Sequence, residues 1–140
     1  MPAINHLLFI DTLPHKVYKA ITTQKGLSSW WTAKTKADAI VGSVAEFWFS
    51  TKYHDKMYIV NLDKNKYVEW ECIDGDKEWI GTRIQFIITP HNNGTQLHFR
   101  HYEWKNESEF FASCNFHWGR YMMSLKDYCE TGKGNPFKEE

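Results

Sequence analysis

SEFFASCNFHWGRYMMSLKDYCETGKG, residues 108–134, reads as one long helix laid against something apolar. Phe111, Cys114, Trp118, Tyr121, Met122, Leu125, Tyr128 and Cys129 recur at three- and four-residue steps, which places them on one helical face. Ser108 can cap the start with its hydroxyl, and Gly132, Gly134 and Pro136 supply the expected stop. A second informative stretch lies near the start: VYKAITTQKGLSSWW, residues 17–31. Pro14 can open a helix there, since the first turn does not need its missing N–H, and Val17, Tyr18 and Ile21 keep helical spacing up to Thr22. Gly26 is expected to break that helix, with Leu27, Trp30 and Trp31 on a second short turn.

Between these stretches the period changes to two. Residues 4–12 form a first, weakly alternating strand. After Gly42, Ala45, Phe47 and Phe49 alternate with Glu46 and Trp48. Residues 56–62 are a strand candidate whose inner face the pattern does not select. Val68, Trp70 and Cys72 alternate with Glu69 and Glu71, which places those two carboxylates in water, and Asp74-Gly75 turns the chain. Ile84, Phe86 and Ile88 follow, then the hairpin signal Asn92-Asn93-Gly94, then Leu97, Phe99 and His101. Strands joined by tight turns pair antiparallel, and the helices segregate to one face. The expected fold is therefore α+β: a curved antiparallel sheet of six to seven strands wrapped on the long C-terminal helix.

At 140 residues the expectation is a single domain spanning residues 1–140, with no Pro-rich linker or repeat to divide it. The formal net charge is zero, so nothing favours a polyanionic partner, and the chain is not expected to bind nucleic acid. No charged-then-apolar leader opens the chain and no apolar run is long enough to span a bilayer, so membrane insertion is not expected. Cys72, Cys114 and Cys129 are odd in number and lack CxxC spacing, which implies neither a disulfide framework nor a zinc site. The expected setting is the reducing cytoplasm.

The inward strand positions and the helix face together are apolar with a few polar tips, the composition of a small-molecule pocket and equally of an ordinary core. The candidate cavity lining is Phe47, Phe49, Trp70, Phe86, Phe99 and His101 from the sheet, with Cys114, His117, Trp118 and Tyr121 from the helix. Trp30 and Trp31 complete it: one indole docks on the sheet while the other can guard a cavity mouth, and the sequence does not say which. His101, the polar member of the inward strand set, is a general base, a ligand hydrogen-bonder or a satisfied core imidazole bonded to Tyr121 or a backbone carbonyl. Catalysis by it needs a third, orienting group that the sequence does not place. No metal site is implied, because His98 and His101 fall on opposite faces of a strand. No phosphate loop or nucleophile elbow is present, and no cofactor is implied.

Val17-Tyr18-Lys19-Ala20-Ile21-Thr22 with Gly26-Leu27 and Trp30, then Val41-Gly42-Ser43, Trp70, Gly94-Thr95-Gln96-Leu97, His101, Trp118, Met122, Leu125 and Glu130-Thr131-Gly132 occur in an informative order. They resemble the family named for the activator of the heat-shock-protein-90 ATPase homologue, within the START-like, helix-grip superfamily that includes polyketide cyclases and the birch-pollen allergen. The match covers nearly the whole chain and departs from the usual pattern at Ser43, where a second glycine is frequent, and at Met122, where leucine is common. The resemblance implies the helix-grip fold and an apolar cavity between sheet and long helix. The additional chaperone-binding domain of the eukaryotic namesake has no counterpart in these residues. The expected role is binding of a small apolar or aromatic ligand without converting it. Two alternatives stand beside it: a co-chaperone-type interaction module with a chaperone partner, and a cyclase- or hydrolase-like enzyme using His101.

Overall fold

Alternation in the middle of the chain becomes a curved antiparallel sheet that cradles a long helix. The computed structural model describes residues 1–139. In chain order the elements are β1 (Ile4–Ile10), α1 (Pro14–Thr22), α2 (Gln24–Trp30), β2 (Lys34–Lys36), β3 (Val44–Phe49), β4 (Tyr53–Asp63), β5 (Tyr67–Asp74), β6 (Arg83–His91), β7 (Gly94–Tyr102) and α3 (Glu109–Thr131). Among the described residues the sheet has seven strands in the order β1-β7-β6-β5-β4-β3-β2. Strands β2 to β7 form a meander, and β1 returns to pair with β7. With every helix on one face, this is the helix-grip architecture.

The inner face carries Ala45 and Phe47 of β3, Val68, Trp70 and Cys72 of β5, Ile84, Phe86 and Ile88 of β6, and Leu97, Phe99 and His101 of β7, all buried. Against it α3 buries Cys114, Trp118, Met122, Ser124 and Leu125. Strand β4 explains why its inner face resists a period-two reading. Asp55, Met57 and Ile59 point inward, but register shifts fall between Lys56 and Met57 and between Ile59 and Asn61. After the second shift it is Leu62 that packs on the core, three residues on from Ile59. Short β2 carries no apolar alternation and was not expected.

Between α1 and α2 the structure differs from the sequence expectation. The break falls at Thr23, which is extended at φ −95° and ψ 151°, and its hydroxyl caps α2 by accepting from the Gly26 amide at 3.1 Å. Gly26 lies inside α2, where a Cβ would sit 2.6 Å from the Ala20 backbone. Its role is close approach of the two helices. The outer face of the sheet differs too. Glu71 is partly exposed as expected, whereas Glu69 is buried under Tyr67, Gln85 and Tyr102 and pairs with Arg83 at 2.6 Å. Burial pushes the Glu69 carboxyl up, but hydrogen bonds from Tyr67, Arg83, Gln85 and Tyr102 outweigh it and hold it below the ordinary range.

Trp118 is 2% exposed, midway along α3, and packs on Phe99 with ring centres 4.5 Å apart. Trp118→Ala is expected to lower unfolding free energy by roughly 3–5 kcal/mol, because the helix cannot collapse into so large a gap. Denaturant unfolding changed by less than about 1 kcal/mol would contradict this packing.

Candidate functional site

Tryptophans form a continuous stack through the space between sheet and helix. Trp79, from the β5–β6 connection, lies 6.0 Å from Trp118 at an interplanar angle of 12°. Trp118 meets Trp31 at 5.1 Å and 26°, and Trp31 meets Trp70 at 5.8 Å and 24°. Such large, flat side chains pack well against one another but do not fill a curved volume completely. What remains is a cavity of about 450 Å³ at the end of the sheet.

Six of the sequence-predicted residues meet at this cavity: Trp31, Phe49, Cys114, His117, Trp118 and Tyr121. The other six do not line it. Phe47, Trp70, Phe86, Phe99 and His101 lie deeper in the core, and Trp30 is anchored there by donating its Nε1–H to the Ala20 carbonyl at 2.8 Å. Of the twin indoles it is thus Trp31 that faces the cavity. The rest of the wall comes from Tyr53, Asp55, Asp76, Trp79, Phe110 and Ser113, none of which sequence reasoning named. Phe110, Ser113 and Cys114, His117 and Trp118, and Tyr121 continue one another at helical spacing, so this second stripe beside the core stripe was available in the sequence. Asp76 and Trp79 sit in a connection with no periodicity to reveal them. The Trp79 Nε1–H points at the Cys114 sulfur, 3.3 Å away. Burial pushes the Cys114 thiol up to about 11, so it is an unreactive thiol rather than a nucleophile.

His101 is fully buried and both its ring nitrogens are engaged. Trp118 donates its Nε1–H to Nδ1 at 3.1 Å, and Nε2 lies 2.8 Å from the Thr82 hydroxyl. Thr82 in turn donates to the Trp79 carbonyl at 2.6 Å. Since Nδ1 accepts, the proton sits on Nε2, and Thr82 Oγ1 receives it. Burial lowers the imidazole to about 3, so it is neutral at ordinary pH. The partners differ from the Tyr121 or backbone carbonyl considered from sequence. This arrangement leaves no ring nitrogen for a guest molecule or for proton transfer to one.

Asp55 is the carboxyl lining the cavity that this packing leaves without a protein partner. It is 5% exposed and lines the cavity, and among the described residues its carboxyl has neither a hydrogen bond nor an ion pair. Gly75 makes room for it, since a Cβ there would lie 2.4 Å from Asp55 Oδ1. Burial, with Asp76 and Asp74 nearby, raises the carboxyl from 3.8 to about 7. Among the described residues no three His, Cys, Asp or Glu side chains are grouped to hold a metal ion.

The two buried titratable groups load the stability curve in opposite directions. For His101 the folded pKa lies below the unfolded value, so its contribution is present above about pH 6.5 and is lost as the solution is acidified towards about pH 3. His101→Phe strands the Trp118 N–H and is expected to lower stability by about 1–3 kcal/mol near neutrality. That deficit should shrink towards about pH 5; denaturant titrations at both pH values check it, and a pH-independent deficit would contradict a buried neutral imidazole. For Asp55 the folded pKa is the higher one, so stability is full below about pH 4 and falls as pH rises through about 7. Asp55→Asn should therefore match the parent in acid and exceed it by up to roughly 3 kcal/mol above neutrality. A parent that unfolds at the same denaturant concentration as the variant at every pH would show that the carboxyl is not strained.

Comparison with known proteins agrees with the fold. Over 96% of this chain and all of the other, the structure is similar at a TM-score of 0.88 and 36% identity to the Aha1 dimer from Colwellia psychrerythraea, solved in solution. Protein MLL2253 from Mesorhizobium loti shares the fold at a TM-score of 0.80 and 16% identity, over 90% of this chain and 95% of that one. CalU16 from Micromonospora echinospora shares it at 0.75 and 14%, over 95% and 76%. No curated protein matches. No helix among the described residues is long and apolar enough to cross a membrane. A family model described as Activator of Hsp90 ATPase homolog 1-like protein matches residues 11–130, and the chain belongs to that family.

Proposed function

We propose that this protein binds a small molecule with an apolar or aromatic body in the cavity between the sheet and α3, without converting it. The observation that carries this reading is a space of about 450 Å³ walled by Trp31, Phe49, Trp79, Trp118 and Tyr121 that no side chain fills. Ligand sites are typically of about this size, with apolar walls and few polar groups. A binding role suits the chemistry of the wall and of the core behind it. His101 has both nitrogens committed, and the buried Cys114 thiol is held protonated. A chaperone partner is suggested by the family name, while the cavity is a feature of the structure itself and favours the small ligand.

Trp31 and Trp118 line the cavity and serve as reporters. Titration with neutral aromatic compounds of drug size is expected to change tryptophan fluorescence saturably. At about a hundredfold excess over Kd, a bound compound should stabilise the fold by about 2.7 kcal/mol and raise Tm by several degrees. Ser113 is exposed at the cavity wall, and Ser113→Trp is expected to block binding while the protein stays folded. A screen without a saturable binder, or binding indifferent to Ser113→Trp, would overturn the proposal.

A further inference from the structure

We infer that the cavity is selective for an organic cation, a protonated amine or amidine carried on an aromatic or apolar body, with Asp55 as its counter-ion. The inference rests on the cavity being a ligand site, and it names the ligand's class. Three independent features lead to it. First, Trp31, Phe49, Trp79, Trp118 and Tyr121 line the space and offer an apolar, aromatic bed for the body of such a ligand. Second, Asp55 is nine-tenths buried, lines the same space and has no partner among the described residues. A buried carboxylate without a donor or a counter-charge is unfavourable, and an ammonium group supplies both at once. Third, the remaining charge on the wall has the same sign: Asp76 lines the cavity as well, and no lysine or arginine does among the described residues.

A bare metal ion fits less well. Hard cations require several oxygen ligands, and the described residues offer no such group here. An organic cation needs one carboxylate and the rings, which is what the wall provides. Gly75 keeps the approach to Asp55 Oδ1 clear of any side chain of its own.

Binding of a cation is coupled to the proton on Asp55. The groups that bear on this carboxyl are Cys72 and Asp74 from β5 and Asp76 from the β5–β6 connection, with Tyr53 on its own strand. Across the cavity α3 presents Cys114, His117 and Tyr121, and Arg120 lies in the adjoining groove with His117 and Tyr121. Asp74 and Asp76 oppose ionisation, and an ammonium in the cavity reverses that balance. Affinity for a permanently charged guest therefore rises with pH until Asp55 is ionised without it, then levels off.

Phenethylamine, phenethyl alcohol and hydrocinnamate test this as a cationic, neutral and anionic set on nearly one skeleton. The amine stays protonated below about pH 9, as alkylammonium groups do. Calorimetric titration at about pH 8 is expected to rank them amine, alcohol, acid, with the amine ahead of the alcohol by about tenfold or more. The amine-to-alcohol ratio should fall as pH drops from about 8 to about 5.5, and should approach one in Asp55→Asn. An amine no tighter than the alcohol, or a ratio unchanged in Asp55→Asn and across pH, overturns the inference while leaving the cavity as a site for neutral ligands. Absence of saturable amine binding also overturns it, whatever the neutral panel shows. Failure of the neutral panel and of all three probes together removes the ligand-site reading itself.

Discussion

The hydrogen bond from Trp118 to His101 ties the long helix to the sheet, and the rest of the interior is arranged around it. A tryptophan at mid-helix carries one polar hydrogen into the centre of an apolar core, where it must find an acceptor. His101 on β7 provides the acceptor at 3.1 Å only as a neutral imidazole with its proton on the far nitrogen. Thr82 on the neighbouring chain segment takes that proton's hydrogen bond, and passes its own to the Trp79 carbonyl. One line of donors and acceptors thus sets the height of α3 over the sheet and the placement of the β5–β6 connection. Trp79 and Trp118 are held nearly parallel as a consequence.

The cavity follows from that arrangement. With Trp118 fixed, its neighbours Trp31 and Trp79 stack on it rather than spreading into the space beside it, and the end of the sheet near Phe49 and Asp55 stays unfilled. A core selected only for stability would close such a gap and place no carboxyl in it, because voids and unpaired buried charge each destabilise. The outer face of the same sheet shows the contrast. Glu69 is equally buried there, yet it is surrounded by Arg83, Gln85, Tyr67 and Tyr102, and its carboxyl is held below the ordinary range. Asp55 receives no comparable support. A carboxyl that lines the cavity without a protein partner is free to meet a charge from outside the chain.

Much of the fold was legible because period-two and period-3.6 patterns report directly which face is buried. The hairpin at Asn93-Gly94, the capped start at Ser108 and the inward sets on β5, β6 and β7 all follow from such patterns. The site was less legible, for three physical reasons. The aromatics of an inner sheet face look alike whether they line a void or fill a core, so Phe47, Trp70, Phe86 and Phe99 could not be separated from Phe49. On β4 Asp55 shares the inward set with Met57 and Ile59, but Tyr58 and Val60 make the opposite face apolar too, so the pattern selected neither. Asp76 and Trp79 reach the cavity from an irregular connection, where side-chain direction is set by tertiary packing alone. His101 was visible as an inward polar residue, but its partner depended on which helix position lay opposite, and only packing decides that.

The central claim is that the aromatic packing leaves one buried carboxyl without a partner, facing the cavity. Its most direct test is a carbon-detected NMR titration of the Asp55 side-chain carboxyl in the unliganded protein. The structure predicts a midpoint near pH 7, well above that of an exposed aspartate. A midpoint in the ordinary aspartate range, near about pH 4, would show that the carboxyl has water or a donor beside it and would contradict the account.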